Sequence, residues 1–302
     1  MQSIETLSNI CGRITKIEVL KRAADVFKTE FKSAAHLFNK YHNQKLIICG
    51  GGPSLNDTFK NVRKQAKSNR VKILAVNKTH DWLIKRGIKP DFGVLIDPKP
   101  WVKNYIKKPI RGVIYLLGAK LDPSVWSVFK NNKNTFHWHP LEFEEEATLV
   151  KGLDTKNSGY ALVPGQATVG LRSVALAYEL GFREIELHGI DSSSQSGKSH
   201  AYQKHTDSEV DLYDPWKDNP IETVQVDSPS CSRTYVCTRQ MASQIQQFKT
   251  MVSEFDILEQ QGAHEITTIT VAGTGAIPYL AAAGYGLHVR DDYNKDPESM
   301  PK

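Results

Sequence analysis

The sequence predicts an α/β protein: a Rossmann-like, mainly parallel sheet with helices on both faces. Three observations predict it. From Lys45 onward, short apolar runs alternate with helical patterns, the signature of βαβ units. Several runs end in residues suited to a strand-end turn: Gly50-Gly51-Gly52-Pro53-Ser54, Asn77, Asp97-Pro98 and Gly189-Ile190-Asp191. One run, Leu46-Ile47-Ile48-Cys49, stops at three consecutive glycines, as a buried strand does when it turns tightly into a helix.

Each element follows from its pattern. Residues 4 to 41 read as one or two amphipathic helices, with Ile4, Leu7, Ile10, Ile14, Ile17 and Leu20 recurring at three and four residues, and Ala24, Phe27, Phe31, Ala34, Ala35 and Phe38 continuing the face. This arm, residues 1–44, is expected to pack on the core or on another subunit. A Rossmann-like domain is expected over residues 45–285. Its strands are expected at Leu46–Cys49, Val71–Val76, Phe92–Ile96, Gly112–Leu117, Thr135–Trp138, Glu184–Leu187 and Glu265–Val271. Its helices are expected up to Ser68, at His80–Arg86, Pro123–Phe129, Gln166–Leu180 and Cys237–Gln261. Residues 139 to 165 read as irregular, with the acidic cluster Glu142, Glu144, Glu145 and Glu146 as a solvated face. Residues 192–235 are polar and long, yet carry Tyr202, Tyr213 and Trp216, and read as a lid. Gly273-Thr274-Gly275 ends the last strand in another glycine turn, and residues 286–302 form a loose charged tail.

With 302 residues, 40% apolar and 24% charged, the chain fits one large or two small globular domains. No apolar run approaches the roughly 20 residues of a membrane span. Met1 to Asn9 is polar and lacks a signal-peptide apolar stretch, and the four cysteines show neither zinc spacing nor a disulfide framework. The expectation is a reducing, cytoplasmic setting. A net charge of +6 permits an anionic ligand without demanding one.

In open parallel sheets ligands bind beyond the carboxyl ends of the strands. That rule singles out Gly50, Gly51, Gly52, Pro53 and Ser54, with Asn77, Asp97, Gly189 and Asp191. Glycine admits close backbone approach, and the helix start that follows, capped by Ser54 or Asn56, favours a phosphate. Asn77 can read a base or sugar edge, or merely cap a turn. Asp97 can ligate Mg²⁺ or hold a hydroxyl, or simply precede a proline turn. Thr168 and Gly170 start a helix, as a cap or beside a phosphate. His200, Tyr202 and His205 can supply an acid, a base or phosphate donors, or lie on the surface. His137 and His139 read as structural. The spaced dinucleotide fingerprint, the phosphate-loop lysine and the serine nucleophile elbow are all missing, which disfavours NAD binding, a conventional ATPase and a serine hydrolase.

Taken together, these strand ends resemble the MptE-like family, which includes the Maf motility-associated glycosyltransferases. The resemblance is carried by Ile48 to Leu55, by Ala75-Val76-Asn77, and by Gly87 to Asp91 with Val94 to Pro98. It continues in Ala177 to Gly181, Gly189-Ile190-Asp191, His200-Ala201-Tyr202 and Thr234 to Thr238. The layout is also similar to bacterial sialyltransferases that use CMP-sugars, although Ser232-Arg233-Thr234-Tyr235 holds no histidine where they place their base. Leu95-Ile96-Asp97-Pro98 looks more like the Maf branch than like the archaeal pterin pyrophosphokinases. The resemblance implies a nucleotide-activated donor, a CMP- or other NDP-sugar, with Mg²⁺ possible. Glycosyl transfer would then use His200, Asp191 and Tyr202 for catalysis and the strand-end residues for the donor, with a glycan, protein or DNA as acceptor. Two alternatives stay open: an ATP- and Mg²⁺-dependent pyrophosphokinase acting on a hydroxymethylpterin, with Asp97 and Asp191 on the metal, and a nucleotide-binding or assembly protein without turnover.

Overall fold

The structure is a computed structural model; it describes residues 14–142, 144–153, 160–198, 200–202, 221–227, 232–262, 265 and 267–282. His205, Tyr213 and Trp216 of the expected lid lie outside the described residues, as does the 286–302 tail. In chain order the elements are α1 (Lys16–Asp25), β1 (Lys32–Ser33), β2 (Lys45–Cys49), α2 (Leu55–Gln65), β3 (Val71–Val76), α3 (Thr79–Lys85), β4 (Phe92–Leu95) and β5 (Ile114–Gly118). There follow α4 (Pro123–Phe129), β6 (Thr135–Pro140), α5 (Glu144–Leu153), β7 (Leu162–Val163), α6 (Val169–Leu180) and β8 (Glu184–His188). The last are β9 (Ile221–Asp227), β10 (Ser232–Thr238), α7 (Arg239–Gln260), β11 (Thr268–Ala272) and α8 (Ala276–Ala282). The chain forms two compact units, Met1–Lys40 with Ala75–Gly165 and Tyr41–Leu74 with Gln166–Lys302.

In the first unit β4, β5 and β6 run parallel, with β1 beside β6 and β7 pairing its end. Leu95, Val102, Ile106, Val113, Tyr115, Leu117 and Phe129 close the core beneath them. The expected amphipathic arm is helical only over α1 among its described residues. The hydroxyl of Thr15 caps α1 by accepting from the Glu18 N–H at 3.2 Å. Beyond it, Val26–Lys28 and Ala34–Leu37 are short 3-10 turns flanking β1 rather than a second helix, and β1 pairs with the edge of β6. Phe27 stacks there on His139, ring centres 5.2 Å apart, and meets His137 edge-on at 5.6 Å. Both histidines are buried, the structural role expected of them.

The irregular stretch expected from 139 to 165 instead contains α5 and β7. Glu144, Glu145 and Glu146 of the acidic cluster form the first turn of α5, where negative side chains complement the helix dipole. It is not wholly a solvated face: Glu146 is buried, and the Lys120 ammonium, also buried, sits 2.8 Å from it and 3.1 Å from Glu142.

In the second unit β2, β8 and β11 are parallel and share one register, Cys49 beside His188 beside Ala272. This register decides the site, because it makes Gly50, Gly189 and Gly273 leave their strands side by side. Leu46, Ile48, Ile185, Leu187, Val174 and Phe248 are buried around these strands. On β8, the buried Glu186 accepts from His188 Nε2 at 2.6 Å and Gln65 Nε2 at 2.9 Å, with the Lys45 ammonium at its other oxygen. α6 starts at Thr168, whose hydroxyl accepts from the Leu171 N–H at 3.2 Å, and stops at Gly181 in the left-handed region, φ 104°. Part of the expected lid is the antiparallel hairpin β9–β10, whose second strand passes through the Thr238 cap into α7.

Candidate active site

The turn after β2 is fastened from within. The Gly50 N–H donates to the His188 carbonyl at 2.7 Å and the Gly52 N–H to the Gly189 carbonyl at 2.8 Å. Gly189 reverses the β8 chain with φ 64°, and a side chain there would stand 2.7 Å from the Gly50 carbonyl oxygen. Leu55 N–H closes a turn onto the Gly52 carbonyl at 3.1 Å, with Pro53 in the second position that suits its fixed φ.

Ser54 does not cap α2, contrary to expectation. Its hydroxyl donates to Asp191 Oδ1 at 2.5 Å and its N–H to Asp191 Oδ2 at 2.8 Å. Asn56 does not cap it either; its amide reaches the Ala201 carbonyl at 3.1 Å. A donor phosphate therefore cannot be held by the N–H groups of Gly52 and Ser54 as the sequence suggested, since both are spent inside the fold. The N–H of Gly51 has no partner among the described residues.

His200-Ala201-Tyr202 packs on Gly51. Ala201 N–H donates to the Gly51 carbonyl at 2.9 Å. A Cβ on Gly51 would stand 2.4 Å from the Tyr202 hydroxyl and 3.3 Å from His200 Cδ2. The two rings lie 5.3 Å apart, and His200 is exposed. Gly51, His200 and Tyr202, far apart in sequence, thus form one corner holding a main-chain N–H, a phenol and an imidazole.

Asp191 is the contrary case. It is 3% exposed with both oxygens on Ser54. Burial pushes its carboxyl up to about 6, against the lowering effect of the Ser54 hydrogen bonds. A catalytic carboxylate must reach substrate, and here both Asp191 oxygens are turned inward onto Ser54. A metal at Asp191 would have to share oxygens that each already accept a hydrogen bond from Ser54. Gly50 and Gly170 are spoken for by packing: a Cβ on either would fall within 2.6 Å of the Ile190 side chain.

In the other unit Asn77 ends β3 in the left-handed region, φ 52°, and its N–H donates to the Val94 carbonyl at 3.0 Å. Its side-chain oxygen is buried and without a partner among the described residues. Asp97 accepts from the Lys99 N–H at 3.1 Å, and burial pushes its pKa up.

Two features of the site escaped the sequence reading. Gly273 and Gly275 were legible as a strand-end turn but not as walls of the Asp191 pocket, where Cβ atoms would stand 2.2 Å from Ser54 Oγ and 2.4 Å from Asp191 Cβ. Arg233 stands 5.2 Å over the ring of Tyr279, with Tyr235 beside it.

The profile of the family described as 6-hydroxymethylpterin diphosphokinase MptE-like matches residues 18–197, more than half of the chain and inclusive of the Gly50–Ser54 turn and Asp191. The chain belongs to the MptE-like family. This MptE-like chain also resembles, in fold, a solved structure described as the MAf glycosyltransferase from Magnetospirillum magneticum AMB-1, at a TM-score of 0.56 and 14% identity. That likeness covers 85% of the MptE-like chain and 36% of the glycosyltransferase, so the chain spans little more than a third of that protein's length. No curated protein matches it in sequence.

Proposed function

We propose that this chain is a transferase using a nucleotide-activated donor, and specifically a glycosyltransferase with a CMP- or other NDP-sugar. The observation that carries the reading is the corner at Gly51: a residue whose N–H has no partner among the described residues, packed against the Tyr202 hydroxyl and the exposed His200. The fold likeness to a glycosyltransferase supports it. A donor phosphate would sit on the Gly51 N–H and the Tyr202 hydroxyl. As the acceptor oxygen bonds to the anomeric carbon, the bond from that carbon to the phosphate oxygen breaks and the nucleotide leaves with the electron pair. Its charge would be held by the same two donors, and His200 would take the acceptor proton. The test is a panel of CMP-, UDP- and GDP-sugars read by thermal shift and by donor hydrolysis; silence to every nucleotide overturns the proposal.

A second reading, pyrophosphoryl transfer to a hydroxymethylpterin, is favoured by the name of the matching family. It asks Asp191 for a metal-facing oxygen, which Ser54 already holds. AMP release from ATP in the presence of 6-hydroxymethylpterin would decide for it.

A further inference from the structure

An anion belongs at the start of a helix, where unpaired N–H groups and the positive dipole end converge. At the start of α2 that place is filled by the chain itself. The Ser54 N–H and hydroxyl both point at the Asp191 carboxylate, at 2.8 and 2.5 Å. The pocket around it is closed on three sides by glycines. A Cβ on Gly52 would stand 2.5 Å from Asp191 Oδ2, one on Gly273 3.4 Å from Oδ1, and one on Gly275 2.4 Å from the Asp191 Cβ. No room is left for a ligand oxygen beside the carboxylate. The Asp191 carbonyl also accepts from the Ile277 N–H at 3.2 Å, so one residue fastens the starts of both α2 and α8 to the end of β8.

We infer that Asp191 is a positioning residue, a built-in anion that takes the place of a ligand phosphate at the start of α2 and so leaves Gly51 as the turn's ligand-facing amide. The inference rests on the proposed function only for the use made of that amide. Asp57, on the first turn of α2, adds its negative charge to the burial that disfavours the ionised form. The Gly273–Gly275 turn and Ser193, which accepts from the Ala276 N–H at 3.1 Å, bring no charge, and His200 and Tyr202 stand over Gly51 on the turn.

Three variants, Asp191→Ala, Asp191→Asn and Ser54→Ala, test it. Asp191→Ala leaves an empty anion hole, so sodium formate, against sodium chloride of equal ionic strength, is expected to raise its Tm by about 3 °C more than that of the wild type or of Ser54→Ala. Asp191→Asn matches the shape and still offers an oxygen to the Ser54 N–H. It is expected to shift nucleotide Kd and turnover together, each by less than about tenfold, whereas loss of a catalytic carboxylate lowers turnover by about 10²-fold or more with binding intact. Because the native pKa is raised from 3.8 to about 6, the contribution of Asp191 to stability is whole below the lower value and is lost as pH climbs through the higher one. Asp191→Asn is expected to lose that decline. Formate that acts equally on all proteins, a decline unchanged in Asp191→Asn, or turnover lost with binding intact overturns the inference. Should Asp191→Ala fail to fold, the pH series on Asp191→Asn decides. Should no nucleotide bind the wild type, the proposed function falls while the formate and pH results still judge the latch.

Discussion

Ser54 meets Asp191 twice, through its N–H at 2.8 Å and its hydroxyl at 2.5 Å, and these two bonds explain why the glycine turn has the shape it has. The serine gives up its role as a helix cap, and the aspartate gives up contact with solvent. The Gly51 N–H is left without a partner among the described residues, and Tyr202 and His200 pack on that residue.

His200 is exposed beside that amide, the position a proton acceptor needs. His200→Ala is expected to lower turnover by about 10²-fold or more with donor binding nearly unchanged. Steady-state kinetics together with a direct binding titration check it. Full turnover in His200→Ala would remove the histidine from the mechanism.

A methyl group at position 275 would stand 2.4 Å from the Asp191 Cβ and 2.7 Å from its Cα, so backbone must move. Gly275→Ala is expected to cost about 2 kcal/mol or more. Gly152→Ala is the control for space, since nothing lies within 4 Å of a Cβ there and its φ is not positive. Urea titration of both variants measures the difference.

His139 is buried with neither ring nitrogen partnered among the described residues. Burial, aided by the charges of His137 and Lys120, lowers its pKa from 6.5 to about 3. The native state resists the proton that the unfolded chain accepts, so this contribution to stability is whole above pH 6.5 and is lost as pH falls toward 3. The slope is about 1.4 kcal/mol per pH unit. His139→Phe keeps the stack on Phe27 and is expected to abolish that slope, as thermal melts from pH 7 to 4 would show. An unchanged slope would place the titrating group elsewhere.

Much of this architecture was legible from the residues because parallel strands end abruptly in glycine, asparagine or aspartate. The runs at Lys45–Cys49, Val71–Val76 and Glu184–His188 needed only their apolar patterns. The site was legible in part. The Gly50–Ser54 turn and Gly189–Asp191 stood out, but which amides remain free depends on the register of Cys49, His188 and Ala272, set by pairings distant in sequence. Glu146 read as solvated because its partner Lys120 lies on a different element. Phe27 to Phe38 kept a helical spacing, yet the chain there forms two short 3-10 turns around the strand that pairs with β6.

Asn77 holds φ 52°, a conformation glycine adopts freely. Asn77→Gly is expected to fold with stability within about 1 kcal/mol of wild type, whereas Asn77→Ala loses about 1 kcal/mol or more. If the asparagine also reads the nucleotide, Asn77→Gly binds donor more weakly despite its intact fold. Equal affinity assigns Asn77 to the turn alone.

The account turns on Gly51, and Gly51→Ala puts a methyl group 2.4 Å from the Tyr202 hydroxyl, against a ring that can swing away, while sparing the Ser54–Asp191 pair. The most direct measurement is the dissociation constant of wild type and Gly51→Ala for whichever CMP-, UDP- or GDP-sugar the wild type hydrolyses. The account predicts affinity weakened by about tenfold or more, with the melting temperature within a few degrees of wild type. Equal affinity in the two proteins would contradict it.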